Sequence, residues 1–87
     1  MKIGDKVKVT INTTKKDRES VKETETRKGY IYAVTSNLIV IMHTDMYEND
    51  KYKESFNEGN IADKSVTIKT KDEELTVIGF REMRKVG

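Results

Sequence analysis

The sequence predicts an all-β domain built as a small, partly open barrel of five to six antiparallel strands. In the first segment Val7, Val9 and Ile11 alternate with lysine and threonine, and this period of two is typical of a strand with one buried face. Residues 30–42 are rich in β-branched and aromatic side chains and are interrupted by polar residues at 35–37. That pattern indicates two strands joined by a tight turn.

The chain has 87 residues, which gives room for one domain. We assign residues 1–80 to this domain and expect residues 81–87 to form a basic, frayed end. Residues 12–28 contain a single aliphatic side chain, Val21, so a helix drawn through them would have no apolar face to bury. We therefore expect a long charged loop here, whose basic residues Lys15, Lys16 and Arg18 are solvated but could become ordered on a partner.

Later segments complete the predicted barrel. We expect short strands at "YKESF", "VTIKT" and "LTVIGF", and an irregular connection of about one helical turn at "NEGNIADKS", with Ile61 filling the core. Residues 38–42 are apolar at every position, so this strand is expected to be covered on both faces. The cover could be the long loop, the C-terminal end or a second copy of the chain.

These segments carry a resemblance to a known fold. The strings "GDKVKV", "KGYIYAVTSNLIVI" and "VTIK" resemble an SH3-like small barrel, and the spacing of the residues in its centre is similar to that of KOW-type domains: Gly29, Ile31, Val34 and Val40. Thr26 stands where the KOW pattern would have a first glycine. The resemblance covers roughly residues 1–70 and implies a fold, since such barrels serve many unrelated roles.

A second resemblance concerns the source. The string "YKESF", with Asp63 a few positions further on, resembles small uncharacterised proteins of Gram-positive bacteria and of their phages and mobile elements. The sequence contains no cysteine, which excludes disulfides and cysteine-based zinc sites. It has no apolar run of transmembrane length and no signal-peptide pattern. We therefore expect a cytoplasmic protein that does not enter a membrane.

Two groups of side chains contain residue types that can support catalysis or bind metal. His43, Ser55 and Asp63 contain the residue types of a hydrolytic triad, but no sharp turn presents the serine and no glycine-rich segment offers an oxyanion hole. The carboxylates of residues 45–54 do not follow the calcium-loop pattern. We expect no enzyme activity, no cofactor and no metal.

Glu54 shares one side of its strand with Tyr52 and Phe56. A carboxylate beside two aromatic rings is either exposed or partly buried and paired, because an unpaired buried charge is costly. We predict a structural pairing of Glu54 with a cation from a neighbouring strand.

Charge is distributed unevenly along the chain. Residues 1–29 hold nine Lys or Arg against five acids, while residues 30–60 hold two against five, and the whole chain has a net charge of +2. The candidate binding surface combines basic and aromatic residues of the first third: Lys6, Lys8, Arg27, Lys28, Tyr30 and Tyr32. Such a surface can stack bases and hold phosphates. Alternatively, the two tyrosines only cover the outer face of the sheet.

Two functions are consistent with this sequence. The first is a non-enzymatic interaction module, such as a phage or mobile-element accessory protein that binds a host protein through a strand edge or its acidic middle segment. The alternative is a weak nucleic-acid-binding protein that uses the basic surface and Tyr30 with Tyr32. The doubly apolar strand at residues 38–42 also makes a homo-oligomer possible.

Overall fold

The computed structural model describes residues 1–14 and 22–86. Five antiparallel strands form one sheet in the order β4-β3-β2-β1-β5: β1 (Lys6–Thr14), β2 (Lys22–Val34), β3 (Leu38–Thr44), β4 (Asp50–Asn57) and β5 (Val66–Lys69). The first four strands follow one another across the sheet, and β5 returns to pair with β1. The all-β, small barrel-like fold predicted from the sequence is confirmed.

The inner face of the sheet carries the hydrophobic core. Val9, Ile31 and Ile41 are completely buried, and they lie on the three central strands. Burying one such side chain stabilises the fold by about 1.5–3 kcal/mol. The full set of buried core residues also includes the connections and the C-terminal segment: Val7, Val9, Ile31, Ile39, Ile41, Phe56, Ile61, Val66, Ile68, Leu75 and Phe80.

Strand β3 is less completely covered than expected. Ile39 and Ile41 are buried on the inner face, whereas Leu38 and Val40 remain partly exposed on the outer face. Met42, also on the outer face, is nearly buried between Tyr30 of β2 and Lys53 of β4 in the register. Neighbouring side chains therefore supply much of the outer cover, and self-association remains a prediction.

The connection after β4 forms as predicted. A one-turn helix, α1 (Glu58–Ala62), is capped by Asn57, whose side chain accepts a hydrogen bond of 2.9 Å from the amide of Asn60. The side chain of Asn60 in turn accepts from the Asn57 amide at 3.0 Å, which completes a reciprocal cap. Ile61 is buried. The helix contacts both edge strands, β4 and β5, so it helps to close the barrel.

The prediction of a strand at "LTVIGF" is wrong. Residues 77–86 form a helix, α2 (Val77–Val86). The Thr76 hydroxyl caps its first turn by accepting a hydrogen bond from the Gly79 amide at 3.0 Å. Val77, Phe80 and Met83 pack on the core, and their spacing of three places them on one helical face. Burial of that face outweighs the β propensity of the β-branched residues.

The prediction of a frayed end is wrong for residues 81–86, which continue the same helix, and residue 87 lies outside the described residues. Arg81 lies 2.5 Å from Glu58 of α1, and Arg84 donates to the carbonyl oxygen of Ser36 at 2.6 Å. Neither helix in the described part of the chain is long and apolar enough to cross a membrane.

The prediction of a loop over residues 12–28 is wrong at both of its ends. Residues 12–14 belong to β1 and residues 22–28 to β2, where Asn12 lies opposite Thr24 and Thr10 opposite Thr26. The prediction relied on the lack of apolar side chains, but threonine suits a strand and a hairpin needs no second buried face to form its backbone hydrogen bonds. The prediction for residues 15–21, including Lys15, Lys16 and Arg18, lies outside the described residues.

Two substitutions on α2 test its packing. Phe80→Ala is expected to lower the free energy of unfolding by about 3–5 kcal/mol, because it removes a completely buried ring. Ile78→Ala, on the same helix but with 69% of the side chain exposed, is expected to change it by less than about 0.5 kcal/mol. Urea unfolding followed by circular dichroism measures both, and equal losses would contradict the packing of α2 on the core.

Candidate functional site

Three lysines lie side by side across three strands on the outer face of the sheet. Lys8 of β1 is directly opposite Lys28 of β2 on one side and Lys69 of β5 on the other. Directly opposite residues in antiparallel strands have their Cβ atoms about 4.5–5.5 Å apart on the same face. Three lysine side chains thus start from a strip only two strand spacings wide, and like charges placed directly opposite each other are destabilising.

This strip lies in a groove with a volume of about 890 Å³. We call it the lysine groove and define it by its five basic lining residues: Lys6, Lys8, Lys28, Lys69 and Lys71. Two carboxylates, Asp45 and Glu48, also line it. Five lysines against two carboxylates leave the lining with a net charge of +3, although the whole chain carries a net charge of only +2.

The lysines of the groove are not equally neutralised. Lys6 Nζ lies 2.6 Å from Glu48 Oε1, and Lys69 Nζ lies 3.7 Å from Glu74 Oε1. Within residues 1–14 and 22–86, no carboxylate is within ion-pair distance of Lys8 or Lys28. The hydrogen bond from Lys6 lowers the pKa of Glu48. The middle of the strip thus has the least compensated charge.

The turn between β3 and β4 forms one wall of the groove. The Asp45 carboxylate accepts hydrogen bonds from the amides of Tyr47 at 2.8 Å and Asn49 at 2.9 Å. These bonds, with that from Asn49 the larger cause, lower the pKa of Asp45. Glu48 adopts a left-handed backbone conformation with φ of 63°. Met46 and Tyr47 project from this turn with 79% and 78% of their surfaces exposed.

The two tyrosines predicted to bind together differ in position. Tyr30 lines the lysine groove, and its hydroxyl donates to Asp50 Oδ1 at 3.1 Å. Burial, followed by the hydrogen bond to Asp50, raises its pKa. Tyr32 falls outside the register where β2 bulges between Ile31 and Ala33, and Lys53 Nζ lies 4.0 Å from its ring centroid. Only Tyr30 of this pair lines the groove.

Arg27 does not belong to the basic outer face. It lies opposite Val9 in the register, so its side chain is on the inner side of the sheet. There it pairs with Glu25 at 2.7 Å, donates to the hydroxyl of Tyr52 and lies 3.6 Å from Glu54. The predicted surface therefore loses Arg27, while Lys6, Lys8, Lys28 and Tyr30 stay together.

Glu54 is paired on the inner side of the sheet. Its Oε1 atom lies 2.8 Å from Nε2 of His43, which is 2% exposed, and the His43 ring packs on Tyr52 with a centroid distance of 4.7 Å. The Nδ1 atom of His43 is buried and has no hydrogen-bond partner among the described residues. Glu54 thus anchors a polar cluster at one end of the core, formed with His43, Tyr52 and Arg27.

The residues considered for a hydrolytic triad are separated. His43 lies on the inner face with Glu54, whereas Ser55 is on the opposite face of β4. Asp63 accepts a hydrogen bond from the Ser65 amide at 2.8 Å, and this bond lowers its pKa. In the described ranges, no three acidic or histidine side chains are grouped as metal ligands would be.

Three groove residues were missed in the sequence. Lys69 follows the buried Val66 and Ile68 in the alternation of β5, so the sequence indicates that it points outward. Its place beside Lys8 depends on the return of β5 to β1, which the sequence does not show. Lys71 follows on the same connection. Tyr47 gave one signal, an aromatic side chain within a polar turn.

Comparison of the chain with protein-family models, with curated proteins and with solved structures finds no match. The resemblance to SH3-like and "YKESF"-containing proteins therefore stays a prediction.

The pairing of Glu54 can be tested by its contribution to stability. Glu54→Ala is expected to lower the free energy of unfolding by about 1–3 kcal/mol, because it leaves both ring nitrogens of the buried His43 without a partner. Glu54→Gln should lose less, since its amide oxygen can still accept a hydrogen bond. As a control, Arg81→Ala breaks an ion pair whose arginine is exposed, worth about 0–1 kcal/mol. Equal losses in Glu54→Ala and Arg81→Ala, measured by urea unfolding, would contradict this role.

Proposed function

We propose that the protein binds nucleic acid through its phosphates in the lysine groove. The observation that carries this proposal is the position of Lys8 between Lys28 and Lys69. Such a row repels itself in the free protein. A phosphate placed over it would replace that repulsion by attraction, and binding would release the counterions condensed on the nucleic acid.

The groove is better suited to a polyanion than the other large cavity. That cavity has a volume of about 520 Å³ and lies beside α2. Its charged lining includes three carboxylates, Glu73, Glu74 and Glu82, against two cations, the Met1 ammonium and Lys2. Phosphates would be repelled there and attracted to the lysine groove.

The charge of the groove also indicates the kind of binding to expect. Lysine ammonium groups are compact point charges without the planar fork that reads base edges in pairs. Contacts to phosphate position a protein on nucleic acid but carry no sequence information. We therefore expect sequence-independent binding, with a dissociation constant of roughly 10⁻⁴–10⁻⁶ M at physiological salt.

The other expectations from the sequence remain proposals. These are a non-enzymatic interaction module that binds a host protein, an origin in a phage or mobile element, and a cytoplasmic location. The polar cluster of His43 and Glu54 is explained by mutual pairing on the inner side of the sheet, which gives no support to a catalytic role.

The proposal is tested by removing two charges from the groove. Lys8→Gln combined with Lys28→Gln is expected to weaken binding to a single-stranded oligonucleotide, measured by fluorescence anisotropy at several salt concentrations. The slope of log affinity against log salt should fall in magnitude by about 1.4, because each lost phosphate contact contributes about 0.7 for a single strand.

The matched control is Lys2→Gln combined with Lys64→Gln. It removes the same charge from two exposed lysines that do not line the lysine groove. This control should bind like the wild type. If both double variants weaken binding equally, the attraction is a property of the net charge and the groove is not the site.

A further inference from the structure

We infer that the lysine groove takes single-stranded nucleic acid and that one of its bases stacks on the ring of Tyr47. This inference rests on the proposed function and adds the class of nucleic acid and a residue that distinguishes it. It depends on three features of Tyr47: an exposed ring, a backbone position fixed by the turn, and a place in the lining of the lysine groove.

The ring of Tyr47 stands apart from the other three tyrosines. Tyr30 is bonded to Asp50, Tyr32 lies under Lys53, and Tyr52 contacts His43 and Arg27. Tyr47 is 78% exposed, and in the part of the chain that the structure describes its side chain makes no hydrogen bond and no ring contact. Its aromatic faces are thus open to a planar partner.

The turn that carries Tyr47 is fixed in place. The Asp45 carboxylate binds the amides of Tyr47 and Asn49, and the Glu48 amide donates to the Asp45 carbonyl oxygen at 3.0 Å. The side chain of Glu48 then ties the turn to β1 through its 2.6 Å contact with Lys6. A turn held in this way loses little further backbone freedom when a ligand binds.

Tyr47 lines the same groove as the lysine row. A strand whose phosphates lie over Lys8 and Lys28 would bring its bases to the edge of the groove where Tyr47 stands. Aromatic side chains beside a positive groove are the arrangement by which single strands are held without sequence preference. In a duplex both faces of an internal base are already stacked, so only a single strand can offer a base to this ring.

The experiment uses two labelled DNA strands of about 12 nucleotides, a length within the range of small single-strand sites. One is an oligothymidylate and the other is an abasic strand with the same number of phosphates. Fluorescence anisotropy at low salt gives the dissociation constant of each with wild-type protein, Tyr47→Ala and Tyr47→Phe. Tyr32→Ala is the matched control, because it removes a tyrosine ring outside the groove.

We expect the wild type to bind oligothymidylate at least about fivefold more tightly than the abasic strand, from the usual contribution of one stacked base. Tyr47→Ala should bring oligothymidylate to the level of the abasic strand and leave the abasic strand unchanged. Tyr47→Phe and Tyr32→Ala should behave like the wild type. The dissociation constant of a DNA duplex of the same length should not change with Tyr47→Ala.

Two results would overturn the inference, and they differ in what else they overturn. If both strands bind equally and Tyr47→Ala has no effect, while Lys8→Gln with Lys28→Gln still weakens binding, stacking is excluded and phosphate binding in the groove stands. If neither strand binds at low salt, the proposed function and the inference fail together.

Discussion

The pairing of β1 on both of its edges determines the core and the candidate site at once. With β2 on one side and β5 on the other, the alternating side chains of β1 place Val7 and Val9 in the core and Lys6 and Lys8 outside. A shift of one residue in this register would exchange the two sets. The lysine row therefore follows from the same register that buries the valines. A different pairing of β1 that separated the lysines would also expose Val7 and Val9.

The magnitudes explain why the sheet keeps a register that repels itself. Cross-strand charge pairs contribute about 0.2–1 kcal/mol each, and salt screens them further at the surface. Burying one valine or isoleucine side chain contributes about 1.5–3 kcal/mol, and several are buried along β1 and its neighbours. Hydrophobic burial outweighs the repulsion, so the free protein keeps three lysines at directly opposite register positions. Binding of an anion over them would relieve that repulsion.

The sequence was informative where a signal is local. The alternation of β1, the hairpin of β2 and β3, and the turn with Ile61 were all readable from neighbouring residues. Segments that depend on distant contacts were not. The helix α2 forms because Phe80 packs on a core supplied by the sheet, and Lys69 joins Lys8 only through the return of β5. Arg27 lies four residues before the buried Ile31 on β2, so strand alternation puts it on the inner face and not on the predicted basic surface.

The proposed binding site for nucleic acid is the lysine groove. Titration of an oligothymidylate into isotope-labelled protein, followed by amide nitrogen and proton shifts in NMR spectra, tests it most directly. We expect the shifts to change along β1 at residues 6–8, on β2 at 28–30, in the turn at 45–49 and at 69–71, and to return as salt is added. Changes confined to residues 73–83, a segment that includes much of the lining of the cavity beside α2, would contradict binding in the lysine groove.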